Sequence, residues 1–318
     1  MARLSALCAG LFLLLSATAR ARSLDARQGS NDGIHLAVSP KCGPLAGNVT
    51  DVNAGLNLNA YKTIVSFGDS YTDGGIQNGS ALRPPVLTPP SSLAGNRSTN
   101  GPVWIEGIAS DIGARLMDYA VPGACTDLSL WPSNPTRVDF LGQVNTFVTQ
   151  DNKLDPNTTL YTIFFGINDY EASKIDGDHM PQAAQAILNQ ISILSSAPTN
   201  ARAFLITDVY GRGAHSAAGE AYKQSIFDGL HAFHTNASRL DVAFADFARI
   251  WDGVLDGPPG YEAFGYTSTD NCVQGATIDP ECDDPEHYFY WIPRHPSKET
   301  HRIMADYVEE VLSSCVVP

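Results

Sequence analysis

The chain has 318 residues, 43% of them hydrophobic, and a formal net charge of −14. That length and apolar content can bury a sizeable core without metal or disulfide staples, which excludes a disordered chain and a mini-scaffold. An acidic surface without a basic cluster has the wrong sign for a phosphate backbone or anionic lipid, so nucleic-acid binding is not expected.

From the N-terminus, Arg3 precedes an apolar run, Leu4 to Leu15, that is too short to cross a bilayer, and small residues follow as far as Ala21. This is the pattern of a secretory signal peptide over residues 1–21. No second apolar run approaches membrane length, so a soluble, extracellular product without integral membrane association is expected. Residues 22–60 are rich in Gly, Asn and Ser without sustained periodicity, which predicts an irregular extension that Cys42 is placed to tie down. A single domain is expected over 61–318, because no Pro/Ser linker divides it. Thr63–Phe67, Leu160–Phe165 and Ala203–Thr207 read as strands buried on both faces, with Arg115–Ala120 and Asp241–Ala245 as weaker candidates. Helical spacing covers Val103–Ile112, Ala183–Leu194 and Ala217–Phe233, and a last helix opened by Ser297 carries Ile303, Tyr307, Val311 and Leu312. Strand and helix alternate, which predicts an α/β fold with a parallel sheet covered by helices on both faces. The polar, turn-rich segments 74–101 and 253–290 are long enough to shape a binding site.

Cys8 leaves with the signal, so Cys42, Cys125, Cys272, Cys282 and Cys315 remain, and an odd set in an oxidising compartment forms at most two bridges within one chain. Cys272 and Cys282 flank a Gly/Asp/Pro-rich loop and are the expected pair, worth about 3 kcal/mol on the chain-entropy estimate. Without a C-x-x-C pair no zinc site is expected. N-x-S/T sequons begin at Asn48, Asn78, Asn96, Asn157 and Asn236, glycan acceptors in an exported chain wherever they reach the surface.

The first strand runs into Phe67–Gly74, which places Ser70 just beyond the carboxyl end of a buried strand, where α/β sheets keep their sites. A hydroxyl needs a base to become a nucleophile, and His295, in Trp291–Pro296, stands immediately before a capped helix where an imidazole can be aimed. Gly123 in Val121–Ala124 and Asn168 in Phe165–Asp169 each follow a predicted strand and are candidate oxyanion donors. In their order through FGDSYTDGG, YAVPGA, FFGINDY and YFYWIPRHPSKETHRIMAD, these blocks resemble the SGNH/GDSL hydrolases. Within them the chain is similar to the secreted esterase and lipase branch that includes carbohydrate esterase family 16. The resemblance spans residues 61 to 310 and implies a three-layer α/β/α sandwich of the flavodoxin-like kind. It makes Ser70 the nucleophile and His295 the general base, with the N–H groups of Ser70 and Gly123 and the Asn168 amide as the oxyanion hole. It implies no metal and no organic cofactor.

The chain departs from that pattern at the acid, because the family usually places Asp three residues before the histidine and this sequence has Ile292 there. Losing an orienting aspartate costs about 10⁴ in rate in the general triad template. The expected substitute is a backbone carbonyl near Ile292 in a Ser-His dyad; Asp283, Asp284 and Glu286 are the carboxylate alternatives. Asp284 and His287 formally fit D-x-x-H, but the aromatic run, the His-Pro step and the helix all match around His295, so His287 reads as a loop residue. Tyr71, Trp131 and Trp291 are candidate platforms for a sugar ring, and equally suit half-buried packing positions. Trp104 reads as core, and Asp69 and Asp73 as turn-stabilising carboxylates. His179, His215, His231, His234 and His301 show no metal-ligand spacing.

The expected activity is hydrolysis of carboxylic esters through an acyl-enzyme, with acetyl esters of plant-wall oligosaccharides as the substrate class the resemblance favours. A secreted lipase or phospholipase is the alternative within the same chemistry. A secreted, non-catalytic binding protein on a decayed esterase scaffold is the rival of another class, and the joint presence of Ser70, Gly123, Asn168 and His295 argues against it. The partner expected is a small ester or an acylated oligosaccharide, met by a monomer.

Overall fold

Successive residues of the central strands feed two different cores. Ile64 and Leu160 face a layer that includes Ile105, Ile108, Ile303 and Tyr307, whereas Val65, Phe67 and Tyr161 face one that includes Val144, Ile187, Ile191 and Phe227. This is what strands buried on both faces require, and it explains why their sequences read as continuous apolar runs. The computed structural model describes residues 33–237 and 239–317. The signal peptide expected over residues 1–21 lies outside them.

The main sheet contains β1 (Val52–Ala54), β2 (Thr63–Gly68), β3 (Arg115–Asp118), β4 (Thr159–Phe164), β5 (Ala203–Asp208) and β6 (Asp241–Asp246), in the spatial order β1-β6-β5-β4-β2-β3. All neighbours are parallel except β1, which runs antiparallel to β6 at the edge. Helices α1 (Trp104–Ile112) and α7 (Lys298–Ser314) cover one face, and α2 (Phe140–Thr149), α4 (Met180–Ser195) and α5 (Ala217–Thr235) the other. Several helix ends have a local cause. The Asp139 side chain accepts from Gly142 N, Ser216 from Gly219 N and Ser297 from Thr300 N, while Gly113 closes α1 in the left-handed region. The chain leaves β2 for β3 on one side and returns to β4 on the other, so the sheet's switch point lies between the carboxyl ends of β2 and β4.

Residues 33–60 are more ordered than their composition suggests. They supply β1, and Asn53 donates through its amide to the carbonyls of Leu56 (2.9 Å) and Leu312 (2.7 Å). Cys42 is bonded to Cys315, fastening this segment to the end of α7, and Cys272 is bonded to Cys282. Cys125 is a buried free thiol. Two further features had no clear sequence signal. Helix α3 (Ile167–Asp176) is mostly polar, and a small second sheet is formed by β7 (Ser268–Asn271), β8 (Tyr288–Ile292) and β9 (His295–Pro296). No helix of the described residues is long and apolar enough to cross a membrane.

Candidate active site

The turn that carries Ser70 is built by the way β2 ends. Asp69 O accepts from the N–H groups of Thr72 (3.1 Å) and Asp73 (3.0 Å), so the chain leaves the strand directly into one tight turn carrying Ser70. Gly68 is required there, because a Cβ would lie 2.8 Å from Thr72 and 3.1 Å from the carbonyl oxygen of Phe164. Its backbone is held by buried Gln143 of α2, which accepts from Gly68 N at 3.0 Å and donates to Gly68 O at 2.8 Å. The same carbonyl receives Val121 N at 3.0 Å, tying the Gly123 loop to the Ser70 turn. Gly123 sits at φ +79°, a conformation glycine adopts without a Cβ penalty. Gln143 lies outside the helices that spacing predicts, and nothing in its local sequence marks it.

Asn168 lies in the first turn of α3, beyond the carboxyl end of β4. Its amide donates to Asp69 Oδ2 at 3.1 Å and to Ala124 O at 2.9 Å, which fixes it between the Ser70 turn and the Gly123 loop. Asp69 also accepts from Tyr71 N at 2.9 Å, and its burial pushes the carboxyl up to about 7. The next residue, Asp169, accepts from Thr126 N (2.9 Å), Thr126 Oγ1 (2.5 Å) and Trp131 Nε1 (2.7 Å).

His295 opens β9, opposite Ile292 across the two-residue link Pro293–Arg294. Its Nε2 lies 2.8 Å from Ser70 Oγ, and its Nδ1 lies 2.9 Å from the carbonyl oxygen of Pro293. A carbonyl only accepts, so the hydrogen resides on Nδ1 and Nε2 is left to receive the serine proton. Burial, then the charge of Arg212, holds the imidazole below its usual pKa, opposed by the Pro293 bond. The arrangement has the geometry of a Ser-His dyad. The orienting carbonyl belongs to Pro293 rather than to Ile292, because Arg294 at φ +62° turns the chain back after the proline. Two of the three carboxylate alternatives are engaged elsewhere, Asp284 accepting from His287 Nδ1 at 2.8 Å and Glu286 from Lys298 Nζ at 2.7 Å.

The three aromatic candidates for a sugar platform are buried, Tyr71 at 1% and Trp131 and Trp291 at 0% exposure, so none offers a ring face to a ligand. Each is a bracket instead. The Trp131 indole holds Asp169, the Trp291 indole donates to Ser92 O at 2.6 Å, and Tyr71 stacks on Phe164 and Trp251. Aromatic residues with a polar edge satisfy that edge when buried, and the sequence alone does not say whether the partner is protein or ligand.

The GDSL-like lipase/acylhydrolase family matches residues 64–308, which include every element around Ser70, Asn168 and His295. The chain belongs to this family. As a GDSL-family hydrolase it is 23% identical over 284 residues to the thermolabile hemolysin of Vibrio parahaemolyticus, a match over 80% of this chain and 64% of that protein. The chain thus spans less than two thirds of the length of that relative. Among solved structures, a family two carbohydrate esterase from Clostridium thermocellum is 16% identical, with TM-score 0.47 over 80% of this chain and 64% of that one. An acetylxylan esterase from Geobacillus stearothermophilus is 14% identical, with TM-score 0.43 over 80% of this chain and 96% of that one.

Proposed function

We propose that this GDSL hydrolase is a secreted serine esterase using a Ser70–His295 dyad, acting on acetyl esters of plant-wall oligosaccharides. The observation that carries the reading is the single line of contacts from Ser70 Oγ through the imidazole to the Pro293 carbonyl. Ser70 Oγ attacks the ester carbonyl carbon while its proton passes to His295 Nε2, and the resulting imidazolium gives that proton to the departing alcohol. Water, deprotonated by the same nitrogen, then attacks the acyl carbon, and the imidazolium returns the proton to Ser70 Oγ as the acyl–Oγ bond breaks and the acid leaves. The N–H groups of Ser70 and Gly123 and the amide of Asn168 receive the oxyanion. For Asn168 this means sharing a hydrogen already given to Asp69 or to Ala124 O, and the 3.1 Å bond to Asp69 is the longer of the two. Export is supported by two disulfides and by the exposure of all five sequon asparagines, Asn48, Asn78, Asn96, Asn157 and Asn236, the proposed glycan acceptors.

A second reading, lipase or phospholipase action, is favoured by the family description and by the likeness to a hemolysin. The two separate by turnover of an acetylated xylo-oligosaccharide against p-nitrophenyl esters of increasing acyl length and a phosphatidylcholine dispersion. The oligosaccharide and the acetyl ester are expected to be the better substrates; preference for long acyl chains would establish the second reading. No turnover of any ester by folded protein would return the chain to the binding-protein class.

A further inference from the structure

Without a carboxylate on Nδ1, His295 is oriented by a backbone carbonyl whose direction depends on the Pro293–Arg294 link. Arg294 occupies the left-handed region at φ +62°, which residues bearing a Cβ adopt rarely and keep only where neighbouring structure holds them. One such hold is visible. The Tyr71 hydroxyl donates to the Arg294 carbonyl at 2.5 Å. The phenol is well placed to act as a fixed post, since its ring is buried and stacked on Phe164 and Trp251 at 5.7 and 5.9 Å between centroids. The same ring lies 5.7 Å from the imidazole of His295, and Tyr71 follows Ser70 directly in the chain. Around the hydroxyl the charged groups close a loop. Arg212 lies beside it and donates to Glu171 at 2.7 Å, and Glu171 also meets the Arg294 guanidinium at 3.4 Å.

We propose that the Tyr71 hydroxyl is a positioning group for His295: by holding the Arg294 carbonyl it keeps the link turned so that the Pro293 carbonyl faces Nδ1. Releasing the Arg294 carbonyl lets that residue relax out of the left-handed region, and the peptide carrying the Pro293 carbonyl rotates with it. The serine-bearing turn thereby supplies both the nucleophile and, one residue later, the clamp on its base. The proposal rests on the esterase reading of Ser70 and His295.

The test uses the full-length protein and the variants Tyr71→Phe, Arg294→Val and Arg294→Gly, with rates expressed per site titrated by a serine-directed organophosphonate. Tyr71→Phe keeps the stacked ring and removes only the hydroxyl, and is expected to lower kcat about 10²-fold with KM within about twofold, the scale of a misplaced catalytic group. Arg294→Val resists positive φ and is expected to lose as much, whereas Arg294→Gly, which tolerates it, should retain at least about tenfold more kcat than Arg294→Val. The Tyr71→Phe/Arg294→Val double variant should be no worse than either single one, because both release the same carbonyl. Histidine ¹⁵N NMR gives a readout independent of turnover: His295 is expected as the Nδ1–H tautomer in the parent and as a mixture in Tyr71→Phe. A Tyr71→Phe protein with kcat within about twofold of the parent, or with an unchanged tautomer, would overturn the proposal. If Tyr71→Phe does not fold, the Arg294→Val and Arg294→Gly pair decides, and equal rates with one tautomer in both would overturn it. Absence of any ester turnover by the parent would instead defeat the esterase reading, leaving the NMR result to judge the clamp alone.

Discussion

His287 and His295 stand eight residues apart in the same loop-and-hairpin segment and divide between them what a catalytic triad joins. His287 has the sequence spacing and the carboxylate: its Nδ1 meets Asp284 at 2.8 Å. His295 has the serine at 2.8 Å, and only a carbonyl on its other nitrogen. The difference teaches that an Asp–His pair is a local event, available to any D-x-x-H turn, whereas a Ser–His pair needs two distant segments brought to one point. Position relative to the carboxyl end of β2 therefore says more about chemistry than the presence of an acid.

The sharpest way to break this comparison is substitution at the two histidines. His295→Ala and Ser70→Ala are each expected to lower ester turnover by about 10⁴-fold or more with the fold intact, while His287→Ala stays within about threefold. The reverse pattern would make His287 the base and the 2.8 Å Ser70 contact incidental. Organophosphonate labelling should fall on Ser70, and labelling at another serine would move the site.

Next in size is the oxyanion side. Asn168→Ala is expected to lower kcat by about 10² to 10³ with KM little changed, since the donor acts on charge that develops in the transition state. Raised KM at constant kcat would make the Asn168 amide a substrate-positioning group.

Smaller effects are expected from the carboxylates that the sequence offers in place of the missing acid. Alanine at Asp283, Asp284 or Glu286 should each cost less than about tenfold, against the 10⁴ of a true triad acid. A loss of three orders at any one of them would identify a carboxylate that reaches His295 during turnover.

The finest test follows the imidazole itself. Burial disfavours the charged ring, so His295 should titrate below the ordinary imidazole value near 6.5. The neutral ring is the base, and the dyad is therefore expected to stay competent to a lower pH than an unperturbed histidine would allow. Histidine NMR across pH 4 to 8 checks this, and a His295 midpoint above about 7 would point to a nearby negative charge that the dyad geometry lacks.

Much of this site was legible because it follows from local rules. A buried parallel strand must end, and a small-residue turn such as Gly68–Ser70 after it exposes a hydroxyl at the sheet's carboxyl edge. The same reasoning picked out Gly123 and Asn168 after β3 and β4, and the pair Cys272–Cys282 across its loop. Illegible were the roles of side chains whose partners lie far along the chain. Gln143 carries no sequence signal until Gly68, across a separation of 75, supplies both its partners. Tyr71, Trp131 and Trp291 read as ligand platforms until their burial is known. The strand β1 hides in a Gly- and Asn-rich stretch because an edge strand of three residues needs little apolar sequence when β6 and the end of α7 complete its contacts.

The sequence by itself determined the alternating α/β order, the turn that presents Ser70, and the absence of an acid at Ile292, because hydrophobic period, glycine placement and residue identity are properties of short segments. Only the tertiary structure decided which carbonyl orients His295 and what holds that carbonyl in place. Those depend on Arg294 entering the left-handed region and on a phenol 223 residues earlier reaching its carbonyl. Orientation of a side chain within an ångström is set by contacts across the fold, and no local pattern encodes them.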